Sequence, residues 1–295
     1  MLMDPVKKSL ISLHLTVMLL GGTALFSQLI PLSAVDITFG RSVIACLLLF
    51  IATKLAGERL WLNSNRDYFI AFGLGIIMAV HWVTYFMAMQ LSSVSVGIIA
   101  LFTFPVITVF IEPYFEKNRL QWQDIVSALV VLVGITLIVP DASLENDVTL
   151  GVIVGVFSAF LYAIRNLLHR HCFSHYSGTK AMAWQTLIIC PTLIFFTSDD
   201  LVMIDVNTLW LLVALGTFFT AVPHAMIANA LKHLRAKTFS LVACMQPLYA
   251  IVFAIMLIDE QPTWQTLIGG LLVISAAVYE TINTHRENQK AKQCS

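Results

Sequence analysis

The sequence predicts an all-α integral membrane protein with ten transmembrane helices. First, 58% of its 295 residues are hydrophobic and only 12% are charged, whereas about 25% of a soluble domain is charged. Second, the apolar residues fall into ten blocks of about 20 residues, the length of helix that crosses a bilayer core. Third, basic residues alternate between the two ends of these blocks. No segment is left over for a soluble domain.

Each apolar block is expected to be a helix, because a helix satisfies its own backbone hydrogen bonds inside lipid. Lys7 and Lys8 precede the first block, so a signal peptide is the alternative there. The block is longer than the usual h-region of about 7–15 residues, which favours a membrane helix. The predicted spans are 9–28, 35–55, 68–90, 92–115, 121–139, 150–168, 178–197, 208–231, 238–258 and 264–283.

The distribution of basic residues predicts that both termini are cytoplasmic, because Lys and Arg near membrane ends stay on that side. With this orientation, 15 of the 17 basic residues fall in cytoplasmic segments, and the other two, Arg41 and Arg165, fall within helices. The fifteen are Lys7, Lys8, Lys54, Arg59, Arg66, Lys117, Arg119, Arg170, Lys180, Lys232, Arg235, Lys237, Arg286, Lys290 and Lys292.

The two halves of the chain are similar in sequence. An offset of 142 residues superimposes Pro105 on Pro247, and an offset of 141 superimposes Gly75 on Gly216. We therefore divide the chain into a first repeat (1–140), a second repeat (141–285) and a cytoplasmic tail (286–295). Five helices is an odd number, so the second repeat enters the membrane from the opposite side. Two inverted five-helix repeats are typical of secondary transporters.

Three segments resemble the EamA family of the drug/metabolite transporter superfamily. They are SVGIIALFTFPVITVFIEPYFEKNRL (95–120), SLVACMQPLYAIVFAIMLIDEQPTWQTLIGG (240–270) and GVIVGVFSAFLYAIRN (151–166). The resemblance covers nearly the whole chain. It implies ten helices, cytoplasmic termini, a multi-pass location in the plasma membrane (the inner membrane of bacteria), and export or exchange of metabolites. Gln246 stands where family members often carry an acidic residue, and its amide does not titrate.

Polar residues within the apolar blocks are the candidate binding residues, because they are costly in hydrocarbon. Arg41 and Tyr85 are expected at similar depth, and His81 lies one helical turn from Tyr85. We predict that Arg41 attracts a substrate carboxylate while Trp82, Tyr85 and Phe102 surround an apolar portion. The alternative is that Arg41 snorkels to the outer interface and that the aromatic residues face lipid or the core.

Pro105 and Pro247 are expected to break their helices, because proline lacks an N–H and its ring disturbs the preceding turn. The freed carbonyls can then face a cavity. We therefore predict a binding site beside the two prolines, and a simple kink in a packed helix is the alternative. The neighbouring candidates are Gln246 and Tyr249 on the ninth helix and Tyr162 and Asn166 on the sixth.

Two further pairs of residues stand out. Glu112 and Arg165 lie at matching depth near the inner ends of their helices, and we predict an ion pair with a structural or gating role. His81 and His224 occupy nearly equivalent places in the two repeats. Because histidine titrates near neutral pH, the pair suggests proton coupling, and the alternative is a neutral histidine bonded to a neighbouring helix.

These features predict a secondary transporter that exports or exchanges a small metabolite, such as an amino acid or other small organic acid, by alternating access. A lipid flippase or an intramembrane enzyme is the alternative, although no GxSxG, HExxH or phosphate-binding motif is present. The expected partners are a small molecule, the bilayer and protons, in a monomer or homodimer. No cofactor or metal site is expected, and the zero net charge gives no electrostatic reason to expect nucleic acid.

Overall fold

A computed structural model describes residues 5–115, 120–139, 143, 145–230 and 242–293. These residues form helices and no strand, so the predicted all-α class is confirmed. In chain order the helices are α1 (Pro5–Gly22, followed by the short segments Thr23–Leu25 and Phe26–Leu29), α2 (Ala34–Leu55), α3 (Asn65–Leu91), α4 (Val94–Leu101 and Phe104–Ile111), α5 (Trp122–Ile138), α6 (Asp147–Cys172), α7 (Gly178–Leu193), α8 (Val206–Gly216 and Val222–Ala230, joined by the π-helical turn Thr217–Ala221), α9 (Gln246–Leu257) and α10 (Trp264–Gln293).

Among the described residues, eight helices are long and apolar enough to cross a membrane, so the chain is a multi-pass membrane protein. The other two, α5 and α9, are apolar but shorter, with 17 and 12 residues. The predicted start of the ninth helix at residue 238 lies outside the described residues. Helix α10 continues to Gln293. Most of the segment 286–295, which we assigned to a cytoplasmic tail, is therefore helical.

Serine side chains fix where several helices begin. Ser33, Ser64 and Ser177 each accept a hydrogen bond from the backbone N–H three residues later. Such an N-cap satisfies one of the donors left free in the first helical turn. The first residues of α2, α3 and α7 are therefore set by local sequence.

The same close contact between helices occurs twice across the boundary between the two halves, once at a glycine of each half. A Cβ atom added to Gly75 on α3 would lie 2.6 Å from the Cβ of Ile188 on α7. A Cβ atom added to its equivalent, Gly216 on α8, would lie 2.7 Å from the Cβ of Ile44 on α2. Each glycine thus lets two helices approach closely, and the two contacts are related by the sequence repeat.

The last helices of the two halves, α5 and α10, pack against each other in opposite directions. Gly134 approaches Gly269, and Ser127 lines a surface groove together with Ala276. Because the residue number rises along α5 while it falls along α10, the helices are antiparallel. The two helices are equivalent in the repeat, so their opposite directions fit the predicted inversion.

Helices α4 and α9, which carry the equivalent prolines of the two repeats, are both interrupted beside that proline. The first segment of α4 ends at Leu101 and the second begins at Phe104, just before Pro105. Helix α9 begins at Gln246, directly before Pro247, after a turn at residues 244–245. Proline cannot donate to the carbonyl four residues earlier, which explains why the helices break at equivalent positions.

The π-helical turn in α8 has no counterpart in α3, its equivalent in the first half. A π turn holds one more residue than an α turn. The repeat offset also grows by one residue, from 141 at Gly216 to 142 at Pro247. The turn Thr217–Ala221 provides a place for this extra residue inside a helix.

Candidate functional site

A cavity of about 320 Å³ lies between the two halves, among residues of α1 to α4, α6 and α8 to α10. Nine of the ten predicted substrate-binding residues line it, together with Pro105. Tyr249 and Pro247 do not. The nine are Arg41, His81, Trp82, Tyr85, Phe102, Tyr162, Asn166, His224 and Gln246.

Arg41 is buried and stacked on aromatic rings. Its side chain is 3% exposed, so it does not snorkel to the interface as the alternative proposed. The guanidinium carbon lies 3.6 Å from the ring centre of Trp82 and 5.0 Å from that of Phe86. Trp82 was expected to contact substrate, but here its face supports the cation. Stacking of this kind is favourable for a guanidinium, particularly when desolvated.

The polar atoms around Arg41 lack partners. Nε and Nη1 of Arg41 and the hydroxyl of Tyr85 are buried, and none has a hydrogen bond to any described residue. A buried polar group without a partner costs about 1–3 kcal/mol, and a charged group costs more. This cluster of donors is therefore suited to an anionic or polar ligand.

His81 is held by α6. Its Nδ1 lies 3.1 Å from the carbonyl oxygen of Ser158 and 2.8 Å from the Ser158 hydroxyl, which in turn donates to the carbonyl of His81 at 2.9 Å. The ring also stacks on Tyr162 at 4.8 Å. Because a carbonyl only accepts, Nδ1 carries the proton, and in the neutral ring Nε2 is an acceptor.

His224 is held in a similar way by the π turn. Its Nδ1 donates to the carbonyl of Thr220 at 2.6 Å, and the Thr220 hydroxyl donates to the carbonyl of Leu215 at 2.8 Å. Thr23 of α1 donates to the carbonyl of Phe219 at 3.0 Å. His81 thus bonds to a neighbouring helix, as the alternative to proton coupling expected, whereas His224 bonds within its own helix.

Gln246 and Tyr249 tie α9 to α1. The amide nitrogen of Gln246 donates to the carbonyl of Leu20 at 3.3 Å, and the hydroxyl of Tyr249 lies 3.3 Å from Nδ1 of His14. Close packing of Gly21 against the Cβ of Tyr249 places this tyrosine in the contact between helices. This packing explains why Tyr249 is absent from the cavity wall.

The predicted ion pair between Glu112 and Arg165 is wrong. Glu112 instead pairs with Arg170 at 3.0 Å. Nε of Arg165 donates to Oε1 of Gln185 on α7 at 2.8 Å, and Nη1 donates to Oδ1 of Asn166 at 3.0 Å. Glu112 lies in the turn that follows α4. At that depth in the bundle it faces Arg170, which is nearer the end of α6 than Arg165 is. Arg165 therefore turns towards α7.

Sequence analysis missed several residues of the cavity and its support. Ser158, which holds His81, and Thr220, which holds His224, were not predicted. The position of Thr220 four residues before His224 is a signal that was available in the sequence. Pro105 and Pro247 have no N–H, so they donate no hydrogen bond to the carbonyls four residues earlier, those of Leu101 and Ala243. Both Leu101 and Ala243 line the cavity. No group of three metal-ligand side chains occurs among the described residues.

The sequence model of the EamA-like transporter family matches residues 7–139 and again residues 149–279. The chain belongs to the EamA-like transporter family. The double match confirms the predicted resemblance and the presence of two repeats. Membership in this EamA-like family also implies a small-molecule substrate and a membrane environment.

Similar proteins support this assignment. An uncharacterized transporter, YxxF, of Bacillus subtilis is 24% identical over 93% of this chain and 89% of its own length. An uncharacterized transporter of Clostridium kluyveri is 21% identical over 84% of this chain and 83% of its own length. A solved crystal structure shares the fold, with a TM-score of 0.64, 16% identity, and coverage of 93% of this chain and 98% of that one.

Proposed function

We propose that this EamA-like protein is a secondary transporter that binds the carboxylate of a small metabolite, such as an amino acid or another small organic acid, in the central cavity. It carries this substrate across the membrane by alternating access. In this proposal all ten helices span the membrane and both termini are cytoplasmic. The observation that carries the proposal is the buried, unpaired guanidinium of Arg41 in the cavity wall.

The charge of the cavity favours an anion. Arg41 is 3% exposed, and the described residues that line the cavity include no Asp or Glu. A charge in the middle of a membrane costs about 2.5–3.5 kcal/mol on insertion scales. A carboxylate in the cavity offsets that cost by accepting from the free N–H groups, and the guanidinium suits two parallel hydrogen bonds to a carboxylate.

Hydrogen bonds join the two halves at the predicted outer end. Both oxygens of Glu260, which follows α9, accept backbone N–H groups at the start of α4, from Val94 and Ser95, at 3.0 Å each. Asp36 of α2 accepts from the N–H and hydroxyl of Ser198, each at 2.9 Å. Opening this end requires these contacts to break.

Contacts also join the two halves at the predicted cytoplasmic end. Glu112 pairs with Arg170, and the hydroxyl of Tyr176 donates to Asp67 at 2.8 Å. Burial raises the pKa of Tyr176, so its hydroxyl keeps its proton at neutral pH and remains a donor. Two similar halves joined by separate contacts at each end suit a mechanism that opens one end at a time.

Transport by purified protein in liposomes tests the proposal. Uptake of radiolabelled lactate, succinate, glutamate and leucine is compared between the wild type, Arg41→Met and Arg41→Lys. We expect saturable uptake of at least one acid, loss of more than about 90% of it in Arg41→Met, and partial retention in Arg41→Lys, since a lysine is a weaker bidentate partner.

The control is Arg66→Met, because Arg66 is exposed at the start of α3. Thermal unfolding of each variant shows whether it is folded. Full uptake by folded Arg41→Met, or uptake restricted to uncharged or cationic compounds, would contradict the proposal.

A further inference from the structure

We infer that the substrate is a dianion with separated charges, of the linear dicarboxylate class. One carboxylate binds Arg41, and the other binds the amide nitrogen of Asn166, which Arg165 supports from behind. This inference rests on the proposed transport function and specifies the ligand of the same cavity.

Arg165 is a second cation without an acidic partner among the described residues. Its three nitrogens contact Oε1 of Gln185 at 2.8 Å, Oδ1 of Asn166 at 3.0 Å and the sulfur of Met182 at 3.7 Å. All three partners are neutral. Hydrogen bonds that a guanidinium donates to neutral acceptors orient it but do not cancel its charge, so the charge of Arg165 remains available to a ligand nearby.

Asn166 transmits this charge to the cavity. Its Oδ1 is occupied by Arg165, and Asn166 lines the cavity. The other end of its amide therefore offers two N–H donors. When the carbonyl of an amide accepts a hydrogen bond from a cation, the N–H groups of the same amide are polarised and bind an anion more strongly.

The two cations act on the same small volume. Arg41 lines the cavity, and Arg165 donates a hydrogen bond to Asn166, which lines the same cavity. No carboxylate belongs to the part of the cavity lining that the structure describes. A single negative charge would leave one buried cation uncompensated, which is costly in a medium of low dielectric constant.

The spacing of the cations sets the shape of the ligand. Arg41 lies seven residues from the start of α2, and Gln185, the partner of Arg165, lies seven residues from the start of α7. Helix α2 starts at the predicted outer end and α7 at the predicted cytoplasmic end, so each residue lies roughly 10 Å inside an opposite end of the bundle. A hydrocarbon core of about 30 Å then leaves roughly 10 Å between the two residues along the membrane normal.

Rings occupy the intervening wall, which suits an apolar chain between the two carboxylates. Tyr162 contacts His81 and Phe104, each with ring centres 4.8 Å apart, and all three residues line the cavity.

Titration calorimetry on the purified protein tests the inference. The ligands are succinate, adipate and suberate, each paired with the monocarboxylate of equal carbon number, namely butyrate, hexanoate and octanoate. For at least one pair we expect the dicarboxylate to bind the wild type at least tenfold more tightly, or about 1.4 kcal/mol. Asn166→Asp and Arg165→Gln should reduce that ratio to about one.

Asn207→Asp is the matched control, because Asn207 is exposed near the start of α8. Asn166→Ser, which keeps a smaller neutral donor, should give an intermediate ratio if Asn166→Asp does not fold. Equal affinities within every pair, or an unchanged ratio in folded Asn166 and Arg165 variants, would overturn the inference and leave transport of monoanions standing. Binding of neither class to the wild type would overturn the proposed function as well.

Discussion

The guanidinium carbon of Arg41 lies 3.6 Å from the ring centre of Trp82. A guanidinium stacked in this way keeps its N–H donors at its edge, where they are free for a ligand. Arg41 gains an attractive neighbour without losing any hydrogen-bonding capacity. Trp82 therefore positions the guanidinium of Arg41, which we propose binds the substrate.

Replacing Trp82 should weaken substrate binding more than it slows transport. We expect Trp82→Leu to raise the KM for the transported anion by about fivefold to thirtyfold, since a desolvated cation–π contact contributes about 1–2 kcal/mol. Trp82→Phe should recover part of the loss. Uptake kinetics in liposomes measure KM and maximal rate separately, and Trp210→Leu, at a residue that is 64% exposed, is the control. A fall in maximal rate alone would argue against a positioning role.

The close contact at Gly75 predicts a steric effect. A new Cβ would lie 2.6 Å from the Cβ of Ile188, so Gly75→Ala should destabilise the protein by about 1–3 kcal/mol through overpacking. Gly73→Ala is the control, because nothing lies within 4 Å of its added Cβ. We expect that variant to be neutral or stabilised by up to about 1 kcal/mol. Equal thermal stability of the two variants would contradict the contact.

The ion pair at the predicted cytoplasmic end predicts which charge reversal is tolerated. Exchanging the charges in Glu112→Arg with Arg170→Glu should restore part of the stability that each single change removes, because the two groups lie 3.0 Å apart. The double variant Glu112→Arg with Arg165→Glu should show no such recovery. Thermal unfolding of the three single and two double variants gives both coupling energies, and recovery only in the second pair would refute the assignment.

Glu260 should stabilise the start of α4 across the interface between the halves. Its two oxygens accept from Val94 and Ser95, whereas an amide offers only one acceptor. We expect Glu260→Gln to lower the free energy of unfolding by about 1–2 kcal/mol. Glu145→Gln, at an exposed residue outside the helices, should change it little, so a similar loss in both variants would count against the capping role.

Asp205 predicts a dependence of stability on pH. Hydrogen bonds from the side chain and backbone of Thr208 lower its pKa, and its carboxylate caps α8. The resulting stability is present above the ordinary pKa of about 4 and is lost as the pH falls through the lowered value. Asp205→Asn should therefore lose less stability than the wild type between neutral pH and acid pH. Melting temperatures across this range, with exposed Asp199→Asn as the control, measure the difference, and parallel curves would contradict it.

Much of the architecture was predictable because lipid imposes strict rules on sequence. Block length, basic residues and the repeat offset located the helices, and the two prolines marked the interruptions in α4 and α9. The shorter length of α9 and the π turn of α8 were not predictable, since neither changes hydropathy. Each depends on how one helix packs against its neighbours.

The candidate site was predictable as a set of residues but not as a set of contacts. Polar and aromatic residues within apolar blocks identified nine members of the cavity wall. The choice of Arg170 over Arg165 as the partner of Glu112 depends on the relative depth and rotation of α4 and α6. Depth estimates from sequence carry an uncertainty of a few residues, more than a helical turn, which is enough to select the wrong arginine.

The turn Thr217–Ala221 makes the two halves unequal. Its π-helical geometry gives α8 a shape that the regular helix α3 does not have. In the alternating-access mechanism proposed above, the inward-open and outward-open forms are therefore not equivalent by symmetry and differ in free energy. Without substrate the protein should rest mostly in one of them, and a bias of 1.4 kcal/mol corresponds to about a tenfold preference.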